Sequence, residues 1–215
     1  MRVHRRSLAA AGRRVKIPSV RKGERTRQRI VEAALETLRT RGFHGASSRA
    51  IAEVGGFNPA LTFYHFGSVH DLLLSALEHE SEERLQRYAP EARAARSAGE
   101  LIALMRRIFR EDVESGFIRV ASEMVAGAVA QPELGPRVVD LMQPWIDLAE
   151  ESFARVAEGT RLAGLADPRD LASAAVMFYL GANLLTQLVP ERADVDRLLE
   201  TGERGAALAD LLSGR

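Results

Sequence analysis

Ser47-Ser48-Arg49-Ala50-Ile51-Ala52-Glu53-Val54-Gly55-Gly56-Phe57-Asn58-Pro59-Ala60-Leu61-Thr62-Phe63-Tyr64-His65-Phe66 is the stretch whose reading decides the fold. A serine caps a short helix from Ser47 or Ser48 to Val54, because a side-chain hydroxyl accepts from the free N–H groups of a first turn. Ile51 and Val54 are its inward-facing residues. Gly55-Gly56 breaks it. Asn58 then caps a second short helix and Pro59 takes its first position, where a missing N–H costs nothing; the helix runs to about Phe66. Short helix, glycine-containing turn and short helix in basic surroundings make the pattern of a helix-turn-helix, although such pairs also occur as plain packing units.

Outward from this pair, helix signals fill the chain, with no hairpin dipeptides and no sustained apolar–polar alternation. Upstream, Ile30, Ala34 and Leu38 recur four apart with Val31 and Leu35 beside them, which predicts a helix from about Thr26 to Thr40. Gly42 suits its left-handed cap and Phe43 folds back as an apolar plug. Downstream, Ser68-Val69-His70-Asp71 is a capping box for a long helix to about Tyr88. Residues 89–97 read as a polar connection, and Ser97-Ala98-Gly99-Glu100 starts the next helix. Further helices are expected over about 117–130 and 136–158, the latter kinked or divided near Pro144. Asp167-Pro168-Arg169-Asp170 opens a helix to Leu188, and a last one spans about 194–212. The expectation is an all-α chain in three parts: a basic disordered arm (1–22), a three-helix helix-turn-helix head (23–68) and a larger helical body (69–215).

The formal net charge is only +1, yet residues 1–66 hold 14 Lys/Arg against 4 Asp/Glu while the rest holds 16 against 25. A basic head on an acidic body indicates that the head alone meets a polyanion. Cysteine is absent, which excludes disulfides and thiolate metal sites. The five histidines show no H-x-x-x-H spacing, and His79 with Glu83 reads as a surface ion pair. With no G-x-S-x-G, P-loop or dinucleotide-binding glycine pattern, no enzyme is expected, and no cofactor or metal. No apolar run is read as approaching the roughly 18 residues of a spanning helix, so a cytoplasmic protein without membrane contact is expected.

Residues 27–74 carry a more specific signal: Arg27-Gln28-Arg29-Ile30-Val31-Glu32-Ala33-Ala34-Leu35, Gly42-Phe43, Ser48-Arg49-Ala50-Ile51-Ala52, Gly56-Phe57-Asn58-Pro59, Phe63-Tyr64-His65-Phe66-Gly67-Ser68 and Leu72-Leu73-Leu74. This stretch resembles the head of the tetracycline-repressor (TetR) family, over about a quarter of the chain. The resemblance implies a bacterial DNA-binding transcription regulator with its third helix in the major groove of double-stranded DNA. It implies contacts from Ser48 and Arg49 to phosphate or a base edge, with Arg49 able to read guanine bidentately. Pro59, Ala60 and Phe63 would face the groove, Tyr64 and His65 would hold phosphates, and the helix starts at Asn58 and Ser68 would offer free N–H groups. Packing beneath the fourth helix is the alternative for Tyr64 and His65. Thr62 replaces a usual aliphatic core residue, Val69 a usual lysine, and Gly55-Gly56 makes a more flexible turn than a single glycine. Arg25, with Arg21 and Lys22, flanks the first helix as a phosphate contact, and the basic arm adds further cations.

For the body the resemblance implies a homodimer built by the last two helices and an apolar pocket for an unidentified small-molecule effector. Phe109, Met124, Trp145 and Tyr179 are candidate lining residues, and Glu123, Asn183 and Gln187 would orient polar groups; ordinary core is the alternative for each. The expected function is a repressor of a palindromic operator, released by its effector. A constitutive or architectural DNA-binding protein and a helical interaction module are the alternatives.

Overall fold

In the computed structural model, residues 19–158, 166–189, 191 and 194–212 are described, and side chains within these from residue 23 to residue 208. The expected arm therefore lies outside the described residues except for the backbone of 19–22. The first helix, α1 (Ser19–Gly45), starts earlier than the sequence suggests. Its early residues are mostly helix formers, and Gly23 is the single weak point. At Gly42 the backbone leaves the helix with φ 71° and ψ 178°, a conformation that favours glycine. Phe43 turns inward there and is buried.

Next come α2 (Ser48–Gly55), α3 (Ala60–Phe66) and α4 (Val69–Ala94). Ser47 caps α2 by accepting from the Ala50 N–H, and Ser68 caps α4 by accepting from Asp71 N–H. Ile51 is buried as expected, but Val54 is 38% exposed and is not part of the core. The fourth helix also runs past its expected end, through Pro90 to Ala94. Ala89 and Ala92 are buried there, and their packing outweighs the roughly 3 kcal/mol that an interior proline costs. Residues 89–94 are thus helix, not connection.

The rest of the body follows as α5 (Ala98–Ser115), α6 (Phe117–Ala130), a 3-10 turn (Pro132–Leu134), α7 (Gly135–Asp140), α8 (Gln143–Ala157), α9 (Pro168–Leu188) and α10 (Val195–Leu212). The division expected near Pro144 falls just before it, and Pro144 stands in the first turn of α8. No strand occurs among the described residues.

One hydrophobic core joins head to body. Ile30, Leu38 and Ile51 of the head and Leu72–Leu74 of α4 pack with Val120, Met124 and Val138 of α6 and α7. A Cβ at Gly127 of α6 would stand 2.4 Å from the Phe43 ring, so glycine is needed for this approach. A second cluster joins α4, α5 and α8 around Tyr88, Leu104 and Leu148. A third holds α5, α6, α9 and α10 together through Phe109, Ile118, Ala182 and Leu199. Arg106 of α5 pairs with Asp196 of α10 at 2.7 Å and keeps that carboxyl below its usual range. The inner face of α10 is thereby used within the chain.

Contrary to the sequence reading, α9 is long and apolar enough to cross a membrane by length and composition. Ser, Asn, Thr and Gln interrupt its apolar residues, yet no charge lies between Leu171 and Val189. Met177, Leu184, Leu185 and Leu188 are all at least half exposed on it.

Candidate nucleic-acid interface and body cavity

The turn between α2 and α3 sets the geometry of the candidate interface. Gly56 adopts φ 63° and its N–H donates to the Ala52 carbonyl. A Cβ on Gly55 would stand 2.2 Å from the Phe57 ring and 2.9 Å from Ala33 Cβ. Gly55 and Gly56 therefore each serve the shape of this turn, one through lack of room for a Cβ and the other through its positive φ. Arg29 donates from Nη2 to the Gly56 carbonyl at 3.0 Å, tying α1 to the turn. Asn58 accepts from the Ala60 N–H at 2.9 Å through Oδ1, which orients α3 and leaves its Nδ2 uncommitted.

Several of the expected contact residues share this exposed side. Tyr64 is 81% and Phe63 52% exposed, and Arg49, Asn58, Ala60 and Arg25 are exposed as well. Tyr64 is therefore not packed beneath α4. Ser48, Pro59, His65 and Ser68 are half-buried, and His65 meets Tyr64 edge-on at 5.0 Å. The Ser68 hydroxyl is committed to Asp71, donating to its carboxylate and accepting from its N–H. What Ser68 leaves open is the N-terminal end of α4, where N–H groups lack helical partners. Val69 packs against the head core, so an apolar contact stands where the resemblance led one to expect a lysine. Among the described residues, Arg49 makes no ion pair, whereas Arg41 is bound to Glu53 at 2.9 Å and lowers its pKa. Thr62 is fully buried and its hydroxyl has no hydrogen-bond partner.

A cavity of about 220 Å³ lies in the body, walled by residues of α4 to α9. Trp145 and Tyr179 line it, as expected from the sequence. Phe109, Glu123, Met124, Asn183 and Gln187 do not. Met124 belongs to the core shared with the head, and Phe109 to the cluster around α10. Glu123 instead accepts the Phe43 N–H at 2.8 Å, an α6 side chain completing the turn after α1. Gln187 donates to the Ser122 hydroxyl, and Asn183 is buried at 1% exposure. The resemblance pointed to all of these as candidates for the pocket but not to which core each enters, since several cores share one helix.

The sequence reading missed the polar end of the cavity. Asp112 of α5 lines it and accepts from Arg84 of α4 and from the Tyr179 hydroxyl of α9. Arg84 is 5% exposed. Its remaining nitrogens reach Glu80 at 3.2 Å and Ser115 at 3.0 Å, and its guanidinium lies 4.0 Å from the Phe117 ring centre. Burial pushes the Tyr179 hydroxyl up to about 12. A buried arginine and aspartate at distant positions leave no local sequence signal; only the charge of an otherwise apolar helix face hints at them. At the far end, α7 supplies Val138 to the cavity wall, while its Arg137 pairs with Asp71 of α4 at 2.7 Å. Asp71 is held below the usual carboxylate range by Ser68 and then by Arg137.

The chain matches the family model for bacterial regulatory proteins of the tetR family over residues 30–76. It is similar to the HTH-type transcriptional regulator UidR of Escherichia coli strain K12, 35% identical over 63 residues, which are 29% of this chain and 32% of UidR. It is also similar to the HTH-type transcriptional repressor NicS of Pseudomonas putida, 36% identical over 56 residues, 26% of each chain. The chain thus spans about a third or less of these relatives' length. Over the whole fold it resembles the fatty acid degradation regulator FadR of Bacillus halodurans, with TM-score 0.69 at 16% identity, covering 82% of this chain and 95% of that one.

Proposed function

From the match of residues 30–76 to the family model for bacterial regulatory proteins of the tetR family, we propose a transcription repressor of that family that binds a palindromic operator as a homodimer and is released by a small-molecule effector. The observation that carries the reading is the exposed side of α2 and α3 on a strongly basic head, where Phe63 and Tyr64 are exposed and Arg49 makes no ion pair among the described residues. Arg49 reads a base or phosphate, Phe63 and Ala60 meet apolar groups in the groove, and Tyr64 and His65 hold phosphate oxygens. Repression matches the name of NicS, a similar repressor.

The dimer in this reading forms chiefly through α9, whose apolar side is largely uncovered in the single chain. The inner face of α10 is already spent on α5, so only its outer side, with Leu198 and Leu208, is left to add to the contact. Two heads related by a two-fold axis would stand about 34–36 Å apart, one turn of DNA. The cavity is the effector site. Its occupancy reaches the head by two routes: α7, through Arg137 to Asp71 at the start of α4, and α6, through Glu123 to the turn at Phe43. Either route biases a two-state equilibrium in the spacing of the heads.

The test is selection of bound sequences from random duplex DNA, followed by retardation at rising salt. Specific retention of a palindrome is expected, with log affinity falling at about −0.9 per phosphate neutralised. No selected sequence and a flat salt response would remove the DNA-binding reading.

A further inference from the structure

We propose that the body cavity takes an uncharged, largely hydrocarbon ligand of about the size of a fused bicyclic aromatic, and excludes carboxylates and ammonium ions. The proposal rests on the effector reading only for its regulatory consequence; the ligand class follows from the wall.

Size comes first. A dry apolar cavity of about 150 Å³ admits benzene, and this one, at about 220 Å³, is roughly half as large again. It is below the roughly 300 Å³ at which sites for drug-sized molecules begin, so the space between its walls suits a small ring system. Shape and chemistry come next. Phe117, Trp145, Phe153 and Tyr179 give it aromatic walls, which favour the faces and edges of a flat ring.

Charge decides the rest. Every polar side chain of the wall is already partnered within the chain. Trp145 donates from its indole N–H to the Ser81 hydroxyl at 2.8 Å. Tyr88 donates to Glu111 and Ser152 to the Leu148 carbonyl. Both carboxylate oxygens of Asp112 are taken, one by Arg84 and one by Tyr179. A ligand carboxylate would meet Asp112 with no free cation to receive it, because each guanidinium nitrogen of Arg84 has its own partner. An ammonium ion would find no free carboxylate oxygen. A buried charge without a partner is strongly disfavoured, whereas a hydrocarbon disturbs none of these bonds.

The experiment uses the full chain and three probes on one scaffold: naphthalene, 2-naphthoate and (2-naphthylmethyl)ammonium. Binding is read from Trp145, the sole tryptophan, by fluorescence titration, and from the thermal midpoint. Naphthalene is expected to quench or shift Trp145 emission and raise the midpoint, with the two ions at least about tenfold weaker. Ala149→Phe and Ala175→Phe, each filling the cavity from a different helix, are expected to abolish naphthalene binding. Asp112→Asn removes the cavity-side carboxylate of Arg84 and leaves it that of Glu80 alone, and is expected to raise 2-naphthoate affinity at least about tenfold. Equal or tighter binding of either ion by the unaltered chain, or no binding of naphthalene, overturns the proposal. The same probes are added to the selected DNA complex. Naphthalene that binds without releasing DNA supports the ligand class and removes the effector reading instead. DNA release by a charged molecule that competes with none of the probes supports an effector at another site and leaves the cavity assignment to the titration.

Discussion

At the scale of single residues, Arg49 and Thr62 represent two ways in which an individual side chain reveals its role. Arg49 is exposed at the start of α2 and, like Arg25, makes no ion pair among the described residues, while the head's other arginines are tied down: Arg27 to Ser75, Arg29 to Gly56, Arg39 to Glu36 and Arg41 to Glu53. An arginine left free among bound ones is available to an external acceptor. Arg49→Ala should weaken operator binding by about 1–3 kcal/mol and relax preference at one base position. Retardation assays on a set of single-base operator variants check this; an equal loss on all sequences makes Arg49 a phosphate contact alone. Thr62 has the opposite character. Its hydroxyl is buried without a partner, and such a group costs about 1–3 kcal/mol relative to one that is satisfied. Thr62→Val keeps the branched shape and removes the orphan, so it should raise unfolding free energy by about 1 kcal/mol in urea titration while leaving operator preference unchanged. A loss of stability would mean that the hydroxyl finds a partner in solution.

Among the elements, the α2–α3 turn is the one whose form depends on two adjacent glycines used differently. Gly56 needs its positive φ, and a side chain there meets nothing within 4 Å. Gly55 has ordinary helical surroundings but no room, because Phe57 and Ala33 crowd its missing Cβ. Gly56→Ala should cost about 1–2 kcal/mol, the usual penalty of left-handed backbone. Gly55→Ala should cost more and displace Phe57, with α3 following, so its operator affinity should fall further than its stability alone explains. Chemical denaturation and DNA retardation of the two variants, compared side by side, test that order. The existence and caps of most helices were legible in the sequence, since Ser47, Asn58, Ser68 and Ser97 each use a local hydrogen bond. The run of α4 through Pro90 was not, because its own Ala89 and Ala92 are buried in a cluster with Leu104 and Leu148, and that packing overrode a local breaker.

For the whole molecule, the continuous core that joins α1, α4 and α6 makes the head and body one mechanical unit. What the single chain leaves unfinished is α9, whose Leu184 and Leu188 are 53% and 67% exposed. Apolar area of this kind on one helix is relieved by a second helix. Leu184→Glu with Leu188→Glu should convert a dimer to a monomer in sedimentation analysis and weaken binding to a palindrome much more than to a half-site. A variant that remains dimeric would assign the contact to other helices.

By itself, the sequence determined the all-helical class, the helix-turn-helix from Ser47 to Phe66 and the basic character of the head. These follow from short-range rules: caps, glycine breaks, helical spacing and charge by position. Tertiary structure alone decided which body residues meet in a cavity, admitting Trp145 and Tyr179 and sending Met124, Phe109 and Glu123 elsewhere. It also decided that Arg84 pairs with Asp112 and that Tyr179 donates to the same carboxylate, across three helices. The physical reason is that helical periodicity specifies a face, whereas a contact specifies a partner, and partners distant along the chain are chosen by packing.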